Sequence, residues 1–121
     1  MRSRYTAFVL RRHDHLARTL HPEHPDRALT PRELRDRLER HARKARYHGL
    51  EILDRDGPDA SGVWRVLFRV SMKVAGADAS FAELSSFAHD GTGWRYLAGR
   101  TLSTRGLGDL SRLRIADVER L

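Results

Sequence analysis

The chain has 121 residues, 40% hydrophobic and 32% charged, with 23 Lys plus Arg against 16 Asp plus Glu, a formal net charge of +7. That length fits one domain and that balance excludes a disordered polymer, while no window approaches the roughly 20 uninterrupted apolar residues of a bilayer span. The absence of cysteine excludes a disulfide framework, a thiolate zinc cluster and a thiol nucleophile, and charge breaks the N-terminal apolar run too early for a secretory signal, so a cytoplasmic protein is expected.

In chain order, Tyr5, Phe8, Val9 and Leu16 lie near helical spacing among Arg2, Arg4, Arg11 and Arg12, which predicts an amphipathic first helix within residues 1–13. Asp14 is placed to cap a short second helix through Leu16 and Leu20, stopped at His21-Pro22. After a proline-broken loop, Thr30-Pro31-Arg32-Glu33 is a capping box. Leu34, Leu38, Ala42 and Ala45 repeat on one face of the helix that follows, Glu33–Arg37, Asp36–Arg40 and Glu39–Arg43 are i,i+4 pairs, and Gly49 is the expected stop.

Beyond Gly49 the period changes to two. Leu50–Leu53 predicts a short strand, ended by Asp56-Gly57-Pro58-Asp59. From Val63 to Val74, Trp64, Val66, Phe68, Val70, Met72 and Val74 share one face, with Arg65, Arg69, Ser71 and Lys73 on the other. Gly76 and Asp78 mark a turn, Phe81–Ala88 the next strand, Asp90-Gly91-Thr92-Gly93 a hairpin connection and Trp94–Thr101 the last clear strand. Helices first and an antiparallel meander afterwards is an α+β layout, with the helices packed on one face of the sheet. In residues 102–121, Leu107, Leu110, Leu113, Val118 and Leu121 outline a weak amphipathic helix started by Asp109, able to pack on the domain, join a partner chain, or fray.

Residues 1–50 carry thirteen basic and six acidic side chains. A phosphate-binding face would explain this, but 21 of the 23 basic residues are Arg, a skew that looks like coding bias in a GC-rich genome. Glu33, Asp36 and Glu39 also supply counterions within the stretch, so nucleic-acid binding is disfavoured.

Met1-Arg2-Ser3-Arg4-Tyr5-Thr6-Ala7-Phe8-Val9, Thr19-Leu20-His21-Pro22, Gly49-Leu50, Glu83-x-Ser85-x-Phe87, and Asp90-Gly91 followed by Trp94-x-Tyr96-x-x-Gly99 resemble the central domain of the YchJ family in order and spacing over residues 1–101. The resemblance implies a nuclear transport factor 2-like (cystatin-like) cone, in which N-terminal helices cross a strongly curved antiparallel sheet around a pocket. Residues 102–121 then form a C-terminal tail. Leu20 stands where the family often has Trp, and Ala82 where it often has His. The Cys-rich SEC-C zinc motifs that usually flank the domain have no counterpart here, so the resemblance implies no metal. Met1 matches a methionine commonly internal in relatives, from which either a lost N-terminal module or a start assigned late is expected.

Among candidate catalytic residues Glu83 stands first, in a row with Phe81, Ser85 and Phe87. If that face points into the cone, burial would prepare the carboxyl for general acid–base work, and an unpaired buried carboxylate demands a partner. An even-sum register across residues 75–79 would set Glu83 opposite Ser71, near Arg69 or Lys73. Slipped by one, it would lie beside Val70, Met72 and Val74, with Arg2, Arg4, Tyr5 or His21 as partner. The second register keeps the apolar face together and is favoured.

A structural ion pair is the preferred reading of Glu83 over catalysis, in which Tyr5, His21 and Ser85 would assist. Arg2 and Arg4 with Tyr5 could hold an anion, though salt bridges to carboxylates are preferred. Phe87, Trp94 and Tyr96 read first as core and second as ligand-binding pocket lining. The histidines of His13-x-His15…His21-x-x-His24 are not spaced to converge on a metal. No G-x-S-x-G, P-loop or H-E-x-x-H is present, and no cofactor is expected. The expected function is a small-molecule-binding or accessory module with a cone-shaped pocket, with homodimerisation open and no membrane contact. The alternatives are an acid–base isomerase or lyase using Glu83, and an RNA-associated protein using the Arg-rich helix.

Overall fold

A computed structural model describes residues 1–102 and 110–120. The Thr30 hydroxyl accepts the Glu33 N–H at 3.1 Å, the Glu33 carboxylate accepts the Thr30 N–H at 3.4 Å, and a long helix, α3, follows over Pro31–Lys44. Its buried side is Leu34 and Ala42, continued by Ala45. Gly49 is not its stop. The backbone turns extended at Ala45 (φ −85°, ψ 137°) and enters the first strand directly, because Ala45 and Tyr47 already alternate into the core. The three expected i,i+4 pairs are absent among the ion pairs of the described residues: Glu33 turns to the cap, and Arg37 reaches Asp26 at 3.2 Å.

Before α3 come α1 (Arg2–Val9) and α2 (His13–Arg18). Arg12, not Asp14, stands at the start of α2, with Asp14 in its first turn. The helix ends at Arg18, so Leu20 leaves it and bridges in parallel to Tyr96. A 3₁₀ turn, Pro25–Ala28, leads on to α3.

The strands are β1 (Ala45–Asp56), β2 (Trp64–Val74), β3 (Ala77–Asp78), β4 (Phe81–His89) and β5 (Trp94–Leu102), antiparallel in the order β1-β2-β4-β5, with β3 paired to β2. The turn before β3 is two residues, Ala75 and Gly76, both at positive φ (51° and 82°), which matches the twist of a tight hairpin. It fixes an odd register, Val74 against Ala77 and Phe68 against Glu83. Glu83 therefore lies on the face of Val70 and Met72, although its direct neighbour is Phe68. Register shifts insert one extra residue each at His48, Leu53 and Leu97, and such bulges bend and twist a sheet.

One face of the sheet carries Phe68, Val70 and Met72, with Ala45 and the partly buried Tyr5, Tyr47 and Phe81. The helices lie on this side. The other face has a second core that the strand alternation concealed: Leu53, Leu67, Ala82 and Leu102 meet Leu113, Ile115 and Val118. Ile115 and Val118 belong to α4, Ile115–Glu119, and Leu113 to the link between it and a 3₁₀ turn, Leu110–Arg112, in place of one longer helix; the expected start at Asp109, with Leu107 and Leu121, lies outside the described residues. The Asp54 carboxylate accepts the Ile115 N–H at 2.9 Å, and Arg65 pairs with both Asp56 and Glu119 at 2.6 Å. Val118 is fully buried. Val118→Ala is expected to lower stability by about 1–2 kcal/mol, through lost apolar burial and the space left behind. Thermal unfolding followed by circular dichroism checks this, and an unchanged melting temperature would mean that α4 adds nothing to the core.

Candidate functional site

The site begins with a strand irregularity. In β5, Ala98 faces Ser86 but Tyr96 faces Phe87, so Leu97 is the extra residue. That bulge turns the Tyr96 side chain onto the helix-covered face, where Glu83 and Ser85 also project. The outer edge of β5 is closed there by the chain after α2, because the Tyr96 N–H donates to the Thr19 carbonyl and the His21 N–H to the Tyr96 carbonyl at 2.7 Å. An otherwise open sheet edge is thereby paired.

Around Tyr96 the side chains form one network. Ser85, fully buried, donates its hydroxyl to Glu83 Oε2, and the Tyr96 hydroxyl donates to the same oxygen at 3.1 Å. Burial, and then the negative charge and hydrogen bond of Glu83, push the Tyr96 hydroxyl well above the usual phenol range, while the charge of Arg4 acts the other way. The Arg4 guanidinium sits 4.7 Å from the centre of the Tyr96 ring, close enough for a cation–π contact. Arg4 is only 7% exposed and donates to the Leu16 carbonyl at 3.0 Å and to the Thr19 hydroxyl. Burial lowers it to about 10, against the attraction of Tyr96 and Glu83, so it is still a cation at neutral pH.

Gly99 is the floor of this network. It faces Ser85 across the strands, and a Cβ there would stand 2.7 Å from Glu83 Cδ and closer still to the Tyr96 hydroxyl. Only a residue without a side chain lets both groups close over β5.

Glu83, Arg4 and Tyr96 stand at the wall of a cavity of about 460 Å³ between helices and sheet. Phe8, Leu16 and Leu34 line it from the helices, and Phe68, Val70 and Met72 from the sheet. A second polar group lies on the same wall, where His41 Nε2 and the Tyr47 hydroxyl are 2.8 Å apart. Burial, then the neighbouring Tyr5, pushes the Tyr47 hydroxyl up to about 12.

The candidates from sequence are thus brought together only in part. Glu83, Tyr5, Arg4 and Tyr96 line the cavity, and Ser85 touches it through Glu83. Phe87 is buried beneath Tyr96, with ring centres 5.7 Å apart. Trp94 is 52% exposed and packs on His89, and Arg2 is exposed. His21 is turned to its own loop, its Nδ1 accepting the Glu23 N–H at 3.1 Å. His24 accepts the Asp26 N–H in the same way at 3.0 Å, but its ring also reaches Tyr96 and the cavity wall. The partner of Glu83 is a pair of hydroxyls: among the described residues no ion pair holds it, and Arg4 acts on it only across Tyr96. Sequence reasoning missed the roles of Gly99, His24, Tyr47 and Thr19. The spacing Tyr96-x-x-Gly99 was the available signal, since residues three apart share a strand face only across a bulge. No group of three or more His, Asp or Glu that could hold a metal occurs among the described residues.

Helices laid over one face of an antiparallel sheet, with a polar cluster under them, define an NTF2-like α+β domain. The family model described as YchJ, middle NTF2-like domain, matches residues 1–99, and the chain belongs to that family. It is 37% identical over 101 residues to a UPF0225 protein of Methylibium petroleiphilum, covering 82% of this chain and 65% of the relative. A UPF0225 protein of Shewanella sp. ANA-3 is 31% identical over 108 residues, covering 87% of this chain and 62% of that one. The chain therefore spans less than two thirds of the length of these relatives. Among solved structures it is similar to a SEC-C motif containing protein from Rhodopseudomonas palustris, with a TM-score of 0.69 and 25% identity over 85% of this chain and 76% of that one. No helix among the described residues is long and apolar enough to cross a membrane.

Proposed function

We propose that the domain binds a small, mostly apolar organic molecule in the cavity beneath α1 and α3, with a hydroxyl or similar donor of the ligand presented to Glu83. The observation that carries this reading is the chemistry of the lining. About 460 Å³ falls within the usual 300–1,000 Å³ of small-molecule sites, which are apolar with a few fixed polar groups. Here Glu83 Oε2 is occupied by Ser85 and Tyr96, while Oε1 has no protein donor among the described residues. The absence of cysteine agrees with a reducing cytoplasm as the place of action.

Titration with 2-naphthol, followed by amide chemical shifts, tests the proposal. Saturable shifts concentrated at Phe68, Val70, Glu83 and Tyr96 are expected, with affinity about tenfold weaker in Glu83→Gln, the loss of one hydrogen bond to a charged acceptor. Shifts scattered over the surface, or no saturation, would overturn it.

A second reading is favoured by one specific feature: a carboxylate oriented by two hydroxyls and free of any ion pair among the described residues. Such a group is oriented to take a proton from carbon through Oε1, with Ser85 and Tyr96 holding it by Oε2. The corresponding assay is deuterium exchange into 2-tetralone in D₂O. Acceleration by the wild type and its loss in Glu83→Gln would establish acid–base catalysis; no acceleration would leave the binding reading alone.

A further inference from the structure

On the far side of α1 from the apolar cavity lies a second, open concavity of about 630 Å³, lined by α1, α2 and the segment between them, with Arg35 of α3. Its lining is basic. Arg11, Arg12, Arg18 and Arg35 contribute guanidinium groups and His13 and His15 two imidazoles, against the single carboxylate of Asp14. Arg11 is committed to the scaffold, donating to the Ala42 carbonyl at 3.2 Å, and Arg18 spends one nitrogen on the Asp14 carbonyl at 3.3 Å. Arg12 and Arg35 have no side-chain hydrogen bond or ion pair among the described residues. Four guanidiniums against one carboxylate, two of them unspent, make a positive field that favours an anion there.

A further feature points the same way. His13 Nδ1 is buried without a hydrogen-bond partner, and an unsatisfied buried nitrogen in a native lining calls for an explanation such as a bound group. The chain reversal that delivers Arg12 and His13 to the cleft runs through Arg11 at φ 57°, the left-handed residue that closes α1, where the Arg12 N–H donates to the Ala7 carbonyl at 2.7 Å. His15, 3.3 Å from the Ser3 hydroxyl, is held below the usual imidazole range by burial first and then by the charges of Arg18, Arg4 and Arg95.

We infer that this cleft is an oxyanion site for the phosphate group of a small molecule, a phosphate monoester or diphosphate, with Arg12 and Arg35 as the principal ligands and Ser3 and His15 beside them. Guanidinium forks match phosphate oxygens in pairs. The concave form of the site, with cations from three directions, suits a compact anion better than the extended backbone of a nucleic acid. The inference does not depend on the apolar cavity.

Calorimetric titration of the whole chain with pyrophosphate at low ionic strength tests it, with anisotropy of a labelled single-stranded RNA 12-mer run in parallel. One-to-one pyrophosphate binding is expected, at least tenfold weaker in Arg12→Ala/Arg35→Ala and changed less than twofold in Arg40→Ala/Arg43→Ala. The second pair removes the same charge from exposed positions on α3 outside the cleft. All four arginines are exposed, and circular dichroism of each variant confirms that the fold is kept. Absence of saturable binding would overturn the assignment. So would equal loss in both pairs, the mark of net charge alone, or RNA binding that pyrophosphate does not displace.

Discussion

Arg4→Ala is expected to lower the free energy of unfolding by about 3 kcal/mol, read as an earlier midpoint in urea unfolding at unchanged slope. Three losses add. The Leu16 carbonyl and Thr19 hydroxyl lose charge-assisted donors, each contact contributing about 1.5–3 kcal/mol. The ring of Tyr96 loses its cation, and a buried side chain leaves an empty space. Against these stands the relief of desolvation, since burial already holds Arg4 down to about 10, and this offset keeps the net effect below the sum. Arg4→Lys should recover less than half, because one ammonium cannot both reach two oxygens and lie flat over a ring. Arg4→Met separates charge from volume: if it matched the wild type, the residue would matter as filler only. A loss below about 1 kcal/mol in Arg4→Ala would remove Arg4 as the joint between helices and site.

Much of this architecture could be read before any coordinates. Thr30, Pro31 and Glu33 announce α3 because the cap is local chemistry, complete within four residues. The even positions from Trp64 to Val74 announce a half-buried strand, because a side-chain period of two is a property of the backbone. Where reading failed, the deciding term was not local. Gly49 has the look of a helix stop, but the helix yields five residues earlier, since Ala45 and Tyr47 gain more by packing on Met72 and Val70 than another helical turn would give. Leu67 sits between Arg65 and Arg69 in sequence and reads as an isolated apolar residue on a wet face. It becomes core only because Ile115 and Val118, some fifty residues later, cover it.

The candidate site was legible in its residue types and illegible in its connections. Glu83 among aromatics invites attention, and its face follows from the hydrophobic alternation of β2. Its partners do not follow, because they depend on a single inserted residue, Leu97, that carries no mark in the sequence. Without that bulge Tyr96 would point to the outer face, where Arg69 and Arg100 lie on the alternation, and Glu83 would need a cation from the helices. With it, two hydroxyls suffice, and Arg4 is released to tie α1 to α2.

Gly99→Ala puts this account to a sharp test. Its Cβ would stand 2.7 Å from Glu83 Cδ and nearer to the Tyr96 hydroxyl, inside any real contact distance, so both side chains must leave their positions. Such overpacking typically costs about 1–3 kcal/mol, and the upper half of that range is expected because Arg4 and Thr19 hold Tyr96 from the other side. Binding of 2-naphthol should fall at least tenfold in the same variant. Gly49→Ala is the matched control: nothing lies within 4 Å of the new methyl, and a change within about 0.5 kcal/mol is expected. Tyr96→Phe should relieve part of the strain of Gly99→Ala by removing the colliding oxygen, so the double variant should be more stable than the two single losses add up to, a coupling of about 1 kcal/mol. Additivity of the two substitutions, or a Gly99→Ala protein as stable as the Gly49→Ala one, would mean that Glu83 and Tyr96 do not meet over Gly99, and the hydroxyl-held carboxylate on which the binding and catalytic readings both rest would be lost with it.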